Sequence, residues 1–325
     1  MRRCIVLMAM LICGLLGGAA IAQAQSAARI WRIGFLGMDS SLQGPRLAAL
    51  VQGLRELGYT EGRNIVLEQR WAEGDFALLP KLAAELVAVP VDVIVTAAPP
   101  AVKAAMGATT RIPIVMIVHE PVSSGVAVSL ARPGKNVTGI AFQDTDLSIK
   151  RLELLRQAVP TLTRVAIVWN ATGTDARMAH SVADTAKAMG MQALTFEVHN
   201  TSDLSDVIAS AKTLGAQGVV QLAAPFITRN RALLIEALAR NGLPATCELR
   251  MYVAEGCLMT YSANIDAMFR REAAYVDRIL RGANPAELAI EQPREFELII
   301  NLKTAQALGL TIPPMLRFQA NEVIQ

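Results

Sequence analysis

The sequence predicts an α/β protein of two lobes, each built on a parallel sheet, joined by a hinge of three chain crossings. Three observations lead there. The composition is 53% apolar but only 5% aromatic, the Ala-, Val-, Leu- and Ile-rich mixture that suits helices packed on a buried parallel sheet. Apolar runs of strand length alternate strictly with helical segments across connections of a few residues, the pattern of a right-handed parallel sheet. That order of elements then restarts, without residue identity between the two passes, and a chain of 325 residues exceeds what one core comfortably serves.

Residues 1–24 are expected to be a signal peptide. Met1-Arg2-Arg3 is a basic start, residues 4–21 form an apolar run, and Ala22-Gln23-Ala24 has the small-x-small form of a cleavage site. Gly17 and Gly18 interrupt the run where a membrane anchor would continue. Cys13 follows Ile12 and Cys4 comes too early, so a lipid-modified cysteine is not expected. Cleavage near Ala24 places the mature protein in the periplasm. It leaves 29 basic residues against 28 acidic ones, so no field attracts nucleic acid or an anionic membrane.

In the first lobe residues 30–36 read as a buried strand, and Gly37-Met38-Asp39-Ser40-Ser41 as a polar turn. A helix over 45–57 follows, stopped by Gly58. Next come a strand over 65–71, a helix over 78–89 that ends before Pro90, and a strand over 91–96. A helix over 99–108 and a strand over 114–118 complete the first pass. The second runs strand 164–169, helix 175–189 closed by Gly190, strand 193–198, helix 205–214, strand 218–222, helix 229–241 closed by Gly242, and strand 243–247. A helix over 265–280 and a strand over 296–300 come last. Extended stretches near 139–146, 259–264 and 291–297 are suited to crossing between lobes. The first lobe is thus expected to hold 30–142 and 265–291, and the second 145–261 and 296–325.

Two cysteines remain after cleavage, Cys247 and Cys257. In an oxidising compartment they are either bridged or two buried thiols. Catalytic signatures are missing: there is no G-x-S-x-G elbow, phosphate-binding loop or H-E-x-x-H helix. His119, His180 and His199 are dispersed, so neither a metal nor a cofactor is expected. Gly34-Phe35-Leu36-Gly37 lacks the third glycine of a dinucleotide turn, and Asn136-Val137-Thr138 is a glycosylation triplet of the kind expected by chance.

Open parallel sheets bind ligands at the carboxyl ends of their strands. That rule nominates Met38, Asp39, Ser40, Ala97, Ala98, Pro99, His119 and Glu120 from the first lobe. From the second it nominates Trp169, Asn170, His199, Ala224, Pro225, Glu248 and Arg250. Ser40 opens a helix N-terminus that favours an anion. Asp39, Glu120 and Arg250 offer charges to a small zwitterion.

Several stretches resemble one known family. They include Gly53-Leu54-Arg55-Glu56-Leu57-Gly58-Tyr59, Glu61-Gly62-Arg63-Asn64-Ile65, Trp71-Ala72-Glu73-Gly74, residues 121–125, and Ser129-Leu130-Ala131-Arg132-Pro133-Gly134 running into Asn136-Val137-Thr138-Gly139. Lys150-Arg151-Leu152-Glu153-Leu154-Leu155, Tyr275-Val276-Asp277-Arg278-Ile279-Leu280-Arg281-Gly282 and residues 297–305 continue the likeness. Together they resemble the tryptophan/tyrosine-type ABC transporter substrate-binding proteins. The resemblance implies the type I periplasmic-binding-protein fold, two Rossmann-like lobes joined by three crossings. It also implies a monomer that captures a small solute and delivers it to an ABC permease in the cytoplasmic membrane. Amino acid ligands are known in the family, yet this chain has Ala97-Ala98-Pro99 where relatives often have Gly-Thr-Pro, and His119-Glu120-Pro121 where Gly-Asp-Pro is frequent. An amino acid or a related small organic acid is the expected ligand. Two alternatives stand beside transport: a periplasmic ligand sensor, and a racemase-like enzyme with Cys247 and Cys257 as acid and base. Both cysteines fall in one lobe, which argues against the enzyme.

Overall fold

Branched aliphatic side chains occupy both faces of the central strands, so each strand needs cover above and below, and the helices provide it. The computed structural model describes residues 29–142, 144–171 and 176–325. The signal-peptide expectation for residues 1–24 lies outside the described residues.

Strand β1 (Trp31–Gly37) leads into helix α1 (Ser40–Glu56), followed by β2 (Ile65–Trp71), α2 (Leu79–Ala88), β3 (Val93–Ala97), α3 (Pro99–Ala108), β4 (Ile114–His119) and β5 (Val137–Phe142). These strands form a parallel sheet in the order β2-β1-β3-β4-β5. The chain then enters α4 (Asp144–Ala158), β6 (Arg164–Trp169), α5 (Ala176–Ala188), β7 (Gln192–Glu197), α6 (Thr201–Thr213) and β8 (Gly218–Gln221). Helices α7 (Pro225–Arg229) and α8 (Arg231–Asn241) precede β9 (Ala245–Cys247), the short α9 (Arg250–Ala254) and β10 (Met259–Ala263). Helix α10 (Ile265–Leu280), β11 (Phe296–Asn301), α11 (Leu302–Ala307), α12 (Pro314–Gln319) and β12 (Glu322–Ile324) finish the chain. The second sheet has the order β12-β11-β10-β9-β8-β6-β7. Its β7-β6-β8-β9-β10 part repeats the order of the first sheet.

The first core is completed from a distance. Met268, Phe269, Ala273, Val276 and Ile279 of α10 join Ile33, Phe35, Val93, Val95 and Val115 in one buried cluster. Helix α10 lies so close to α1 that a Cβ on Gly53 would sit 2.4 Å from the carbonyl oxygen of Arg270. The second sheet is covered by Leu152, Leu155 and Val182 on one face and by Leu204, Ile208 and Leu234 on the other.

Three segments pass between the sheets. Gly139 of β5 has φ +141°, and a Cβ there would meet the Met116 carbonyl oxygen at 2.0 Å, so only glycine lets β5 lie flush with β4. Strand β10 carries the chain back towards α10. The third segment pairs with β5 through Ala141 N–H to the Glu291 carbonyl, 2.8 Å, and Glu291 N–H to that of Gly139, 3.0 Å.

The fold departs from the sequence expectations in several places. Helix α1 begins at Ser40, not near Pro45, because the Asp39 side chain caps it by accepting from Ser41 N–H. Helix α6 likewise starts at Thr201, where Asn200 and Asp203 form a reciprocal capping box. Helices α4, α9, α11 and α12 and strand β12 were not expected. The sheets are not wholly parallel: β10 leaves the second sheet as β11 enters it, so the two pair antiparallel, Tyr261 opposite Leu298. Cys247 and Cys257 are bonded, with an S–S distance of 2.12 Å. Neither sulfur is then an acid or base, which removes the racemase-like alternative. Among the described residues no helix is long and apolar enough to cross a membrane.

Candidate ligand-binding site

The carboxyl ends of both sheets face one cavity. Met38 and Asp39 reach it because they follow β1, and Ala97 and Ala98 because they end and follow β3. These two strands flank the point where the strand order reverses, the usual place for a ligand in an open sheet. His119 ends β4 and Phe142 ends β5. Across the gap, Ala224 and Pro225 follow β8, Thr228 and Arg229 lie on α7, and Glu248 and Leu249 follow β9. Helix α1 adds Leu42, Gln43 and Arg46, α4 adds Asp144, Leu147 and Arg151, and α10 adds Ile265 and Phe269.

Charge is arranged in pairs. His119 Nδ1 and Asp144 form a short ion pair behind the stacked rings of His119 and Phe142, whose centroids are 5.0 Å apart. Burial alone would push the His119 imidazole down, but the Asp144 carboxylate outweighs it and holds the pKa above its ordinary value. Burial pushes Asp144 up, and His119 and then Arg151 overcome that and hold it down. Arg151 is fully buried and donates through Nε to the Tyr261 carbonyl, 2.9 Å, and through Nη1 to Ser148 Oγ, 3.3 Å. Glu248 accepts from the Thr228 hydroxyl, and burial raises its carboxyl despite that bond. Asp39 binds Arg229 at 2.5 Å, joining the carboxyl end of β1 in the first sheet to helix α7 beside the second. The guanidinium lies over Gly74, where any Cβ would collide with it.

Of the residues nominated from sequence, Met38, Asp39, Ala97, Ala98, His119, Ala224, Pro225 and Glu248 line this cavity. Pro99 and Glu120 line instead an outer cleft behind His119 and Phe142, which border both spaces. Burial, and then the charges of Asp144 and Asp146, raise the Glu120 carboxyl. The other five are not brought to the cavity. Ser40 turns away to Glu73, donating through Oγ at 3.0 Å. The Trp169 ring packs against the second core. Asn170 is buried, donating to the Val198 carbonyl at 2.6 Å. His199 is exposed beside Glu197 at 3.7 Å. Arg250 starts α9 pointing outward and pairs with Glu322 at 2.5 Å, because an unexpected strand β12 supplies that carboxylate.

Two residues have strained backbone here, Ala98 in the cavity wall and Glu120 in the outer cleft. Ala98 has φ 70° and ψ 150°, and Glu120 has φ 43°. The Ala98 geometry is one that only glycine adopts without cost, about 1–3 kcal/mol for other residues.

Residues 37–324 match the family described as ABC transporter substrate binding protein. A tyrosine-binding protein of Clostridioides difficile (strain R20291) is 24% identical over 283 residues, 85% of this chain and 81% of that one. The structure of an ABC domain in complex with L-Trp from Streptococcus pneumonia superposes with a TM-score of 0.85 at 21% identity, covering 91% of this chain and 100% of that chain. A ligand-free, open substrate-binding protein with adhesive properties from Clostridium difficile has a TM-score of 0.70 at 20% identity, with the same coverage. A 5-methylthioribose transporter solute-binding protein from Thermotoga lettingae TMO shares the fold at a TM-score of 0.60 and 16% identity, covering 91% of this chain and 99% of that one. With the family match extending over nearly all the described residues, this chain belongs to the ABC transporter substrate-binding proteins.

Proposed function

We propose that the protein works in the periplasm as the solute-binding component of an ABC importer. It holds one small amino acid or related organic acid in the cavity between its lobes and passes it unchanged to a membrane permease. The observation that carries this reading is the cavity itself, walled by the carboxyl ends of both sheets and spanned by Asp39 and Arg229. A solute there touches both lobes only when they are together, so its binding favours the closed arrangement. The three crossings are the hinge about which the lobes, as a monomer, open and close. Tyrosine and tryptophan are the ligands of two relatives, and they set the first compounds to try.

The test is a thermal-unfolding screen of the mature protein against amino acids and small carboxylic acids. A ligand at 100 times its dissociation constant adds about 2.7 kcal/mol of stability, and the hit is expected back chemically intact. Failure of every compound to stabilise the protein, or turnover of a hit, refutes the reading.

A further inference from the structure

The cavity lining is unbalanced in charge, and the imbalance points to its ligand. Each lining carboxylate already has a partner: Asp39 has Arg229, Asp144 has His119, and Glu248 has the Thr228 hydroxyl. The cations are not all matched. Arg151 is bound by carbonyl and hydroxyl oxygens, whereas Arg46 makes no hydrogen bond or ion pair with any described residue. Glu248 and Asp266 act on it only through space, and Asp266 is exposed at the start of α10, outside the lining. A guanidinium half-buried without a partner is a costly arrangement that a carboxylate relieves, through two parallel hydrogen bonds.

We propose that the solute is an apolar carboxylic acid without an ammonium group, its carboxylate held by Arg46 and its hydrocarbon body by Leu42, Phe76, Phe142, Leu147 and Phe269. This rests on the solute-binding reading above and narrows it. An α-ammonium would have to share Asp144 with His119, Asp39 with Arg229, or Glu248 with the Thr228 hydroxyl, so no lining carboxylate is held in reserve for it as Arg46 is for a carboxylate. The Ala97-Ala98 turn is consistent with this arrangement, since it has no hydroxyl to share the carboxylate.

Calorimetric titration of the mature protein with matched pairs tests it: 3-phenylpropanoate against L-phenylalanine, and indole-3-propanoate against L-tryptophan. Within each pair only the ammonium differs. The acid is expected to bind at least about 10-fold tighter than its amino acid in one pair or both. Arg46→Gln is expected to weaken the acid by at least about 30-fold, and Arg46→Lys, which keeps the charge but not the fork, by less. Unfolding of the ligand-free variants checks that they are folded. Tighter binding of the amino acids overturns the proposal while leaving the protein a solute-binding protein. Undiminished binding by Arg46→Gln also overturns it, as does failure of all four probes when another solute in the thermal screen binds.

Discussion

Glu272 is the residue with the least support around it. It lies in the middle of α10, fully buried, and neither carboxyl oxygen finds a hydrogen-bond partner among the described residues. Burial therefore pushes its pKa well above the ordinary value. In the unfolded chain the same group ionises near pH 4.3, so above that pH the native state holds a proton the unfolded state has lost, and stability falls as pH rises. Other groups bend the same curve, Glu248 and Glu120 in the same direction as Glu272, and His119 and Asp144 as follows. His119, raised, adds stability that is full below its unfolded pKa and is lost as pH rises through the folded one. Asp144, depressed, adds stability present above its unfolded pKa and lost as pH falls through the folded one. The difference between Glu272→Leu and the wild type isolates the glutamate. Chemical denaturation from pH 4 to 8 is expected to show the variant gaining, by up to about 1.4 kcal/mol per pH unit above the unfolded pKa. A pH-independent difference would refute this account. Nothing in the local sequence announces Glu272, because a glutamate within a helix is ordinarily solvated. By contrast Arg151 recurs with Leu147, Leu154, Leu155 and Ala158 at helical spacing, a periodicity that places it on the inward face.

Among elements, α1 and α10 make the most extensive helix–helix contact among the described residues, and Gly53 makes their close approach possible. Gly53→Ala places a methyl carbon 2.4 Å from the Arg270 carbonyl oxygen and 2.9 Å from the Ala273 Cβ. Although alanine is the better helix former by about 1 kcal/mol, the helices must separate, and a net loss of about 1–3 kcal/mol is expected on urea denaturation. An unchanged or higher midpoint would mean that the helices yield freely. Elements were legible in the sequence where apolar period and stop signals coincide: the bounds of β2, α3, β6 and α10 agree with those expected from Ile65, Pro99, Arg164 and Ile265 onward. They were illegible where a side chain outside the apolar pattern governs. Pro45 looked like a helix start, whereas Asp39 caps the helix six residues earlier, and Arg46 was thereby missed as a residue lining the cavity. Arg250 looked like a cleft cation because its partner Glu322 sits on a three-residue strand too short to read.

At the scale of the whole molecule, the doubled order of elements follows from the alternation, and the shared cavity from the rule that open sheets bind ligands at the carboxyl ends of their strands. Which charges meet across the gap does not, since Asp39 and Arg229 are 190 residues apart. Their pair is expected to hold the lobes together before any solute arrives. Asp39→Asn keeps the helix cap, since asparagine caps as well as aspartate, but removes the charge. The pair is partly exposed, so its contribution is modest, about 0.5–1 kcal/mol. Small-angle scattering of the ligand-free variant is expected to show a larger radius of gyration than the wild type. An identical radius would mean that Asp39 and Arg229 do not hold the lobes. The dependence of the first core on α10 has a consequence for how the chain is made. While the ribosome has yet to deliver Met268, Phe269 and Val276, the amino-terminal half stays open on one side. A nascent chain of that kind cannot lock into a rigid body until α10 has been made.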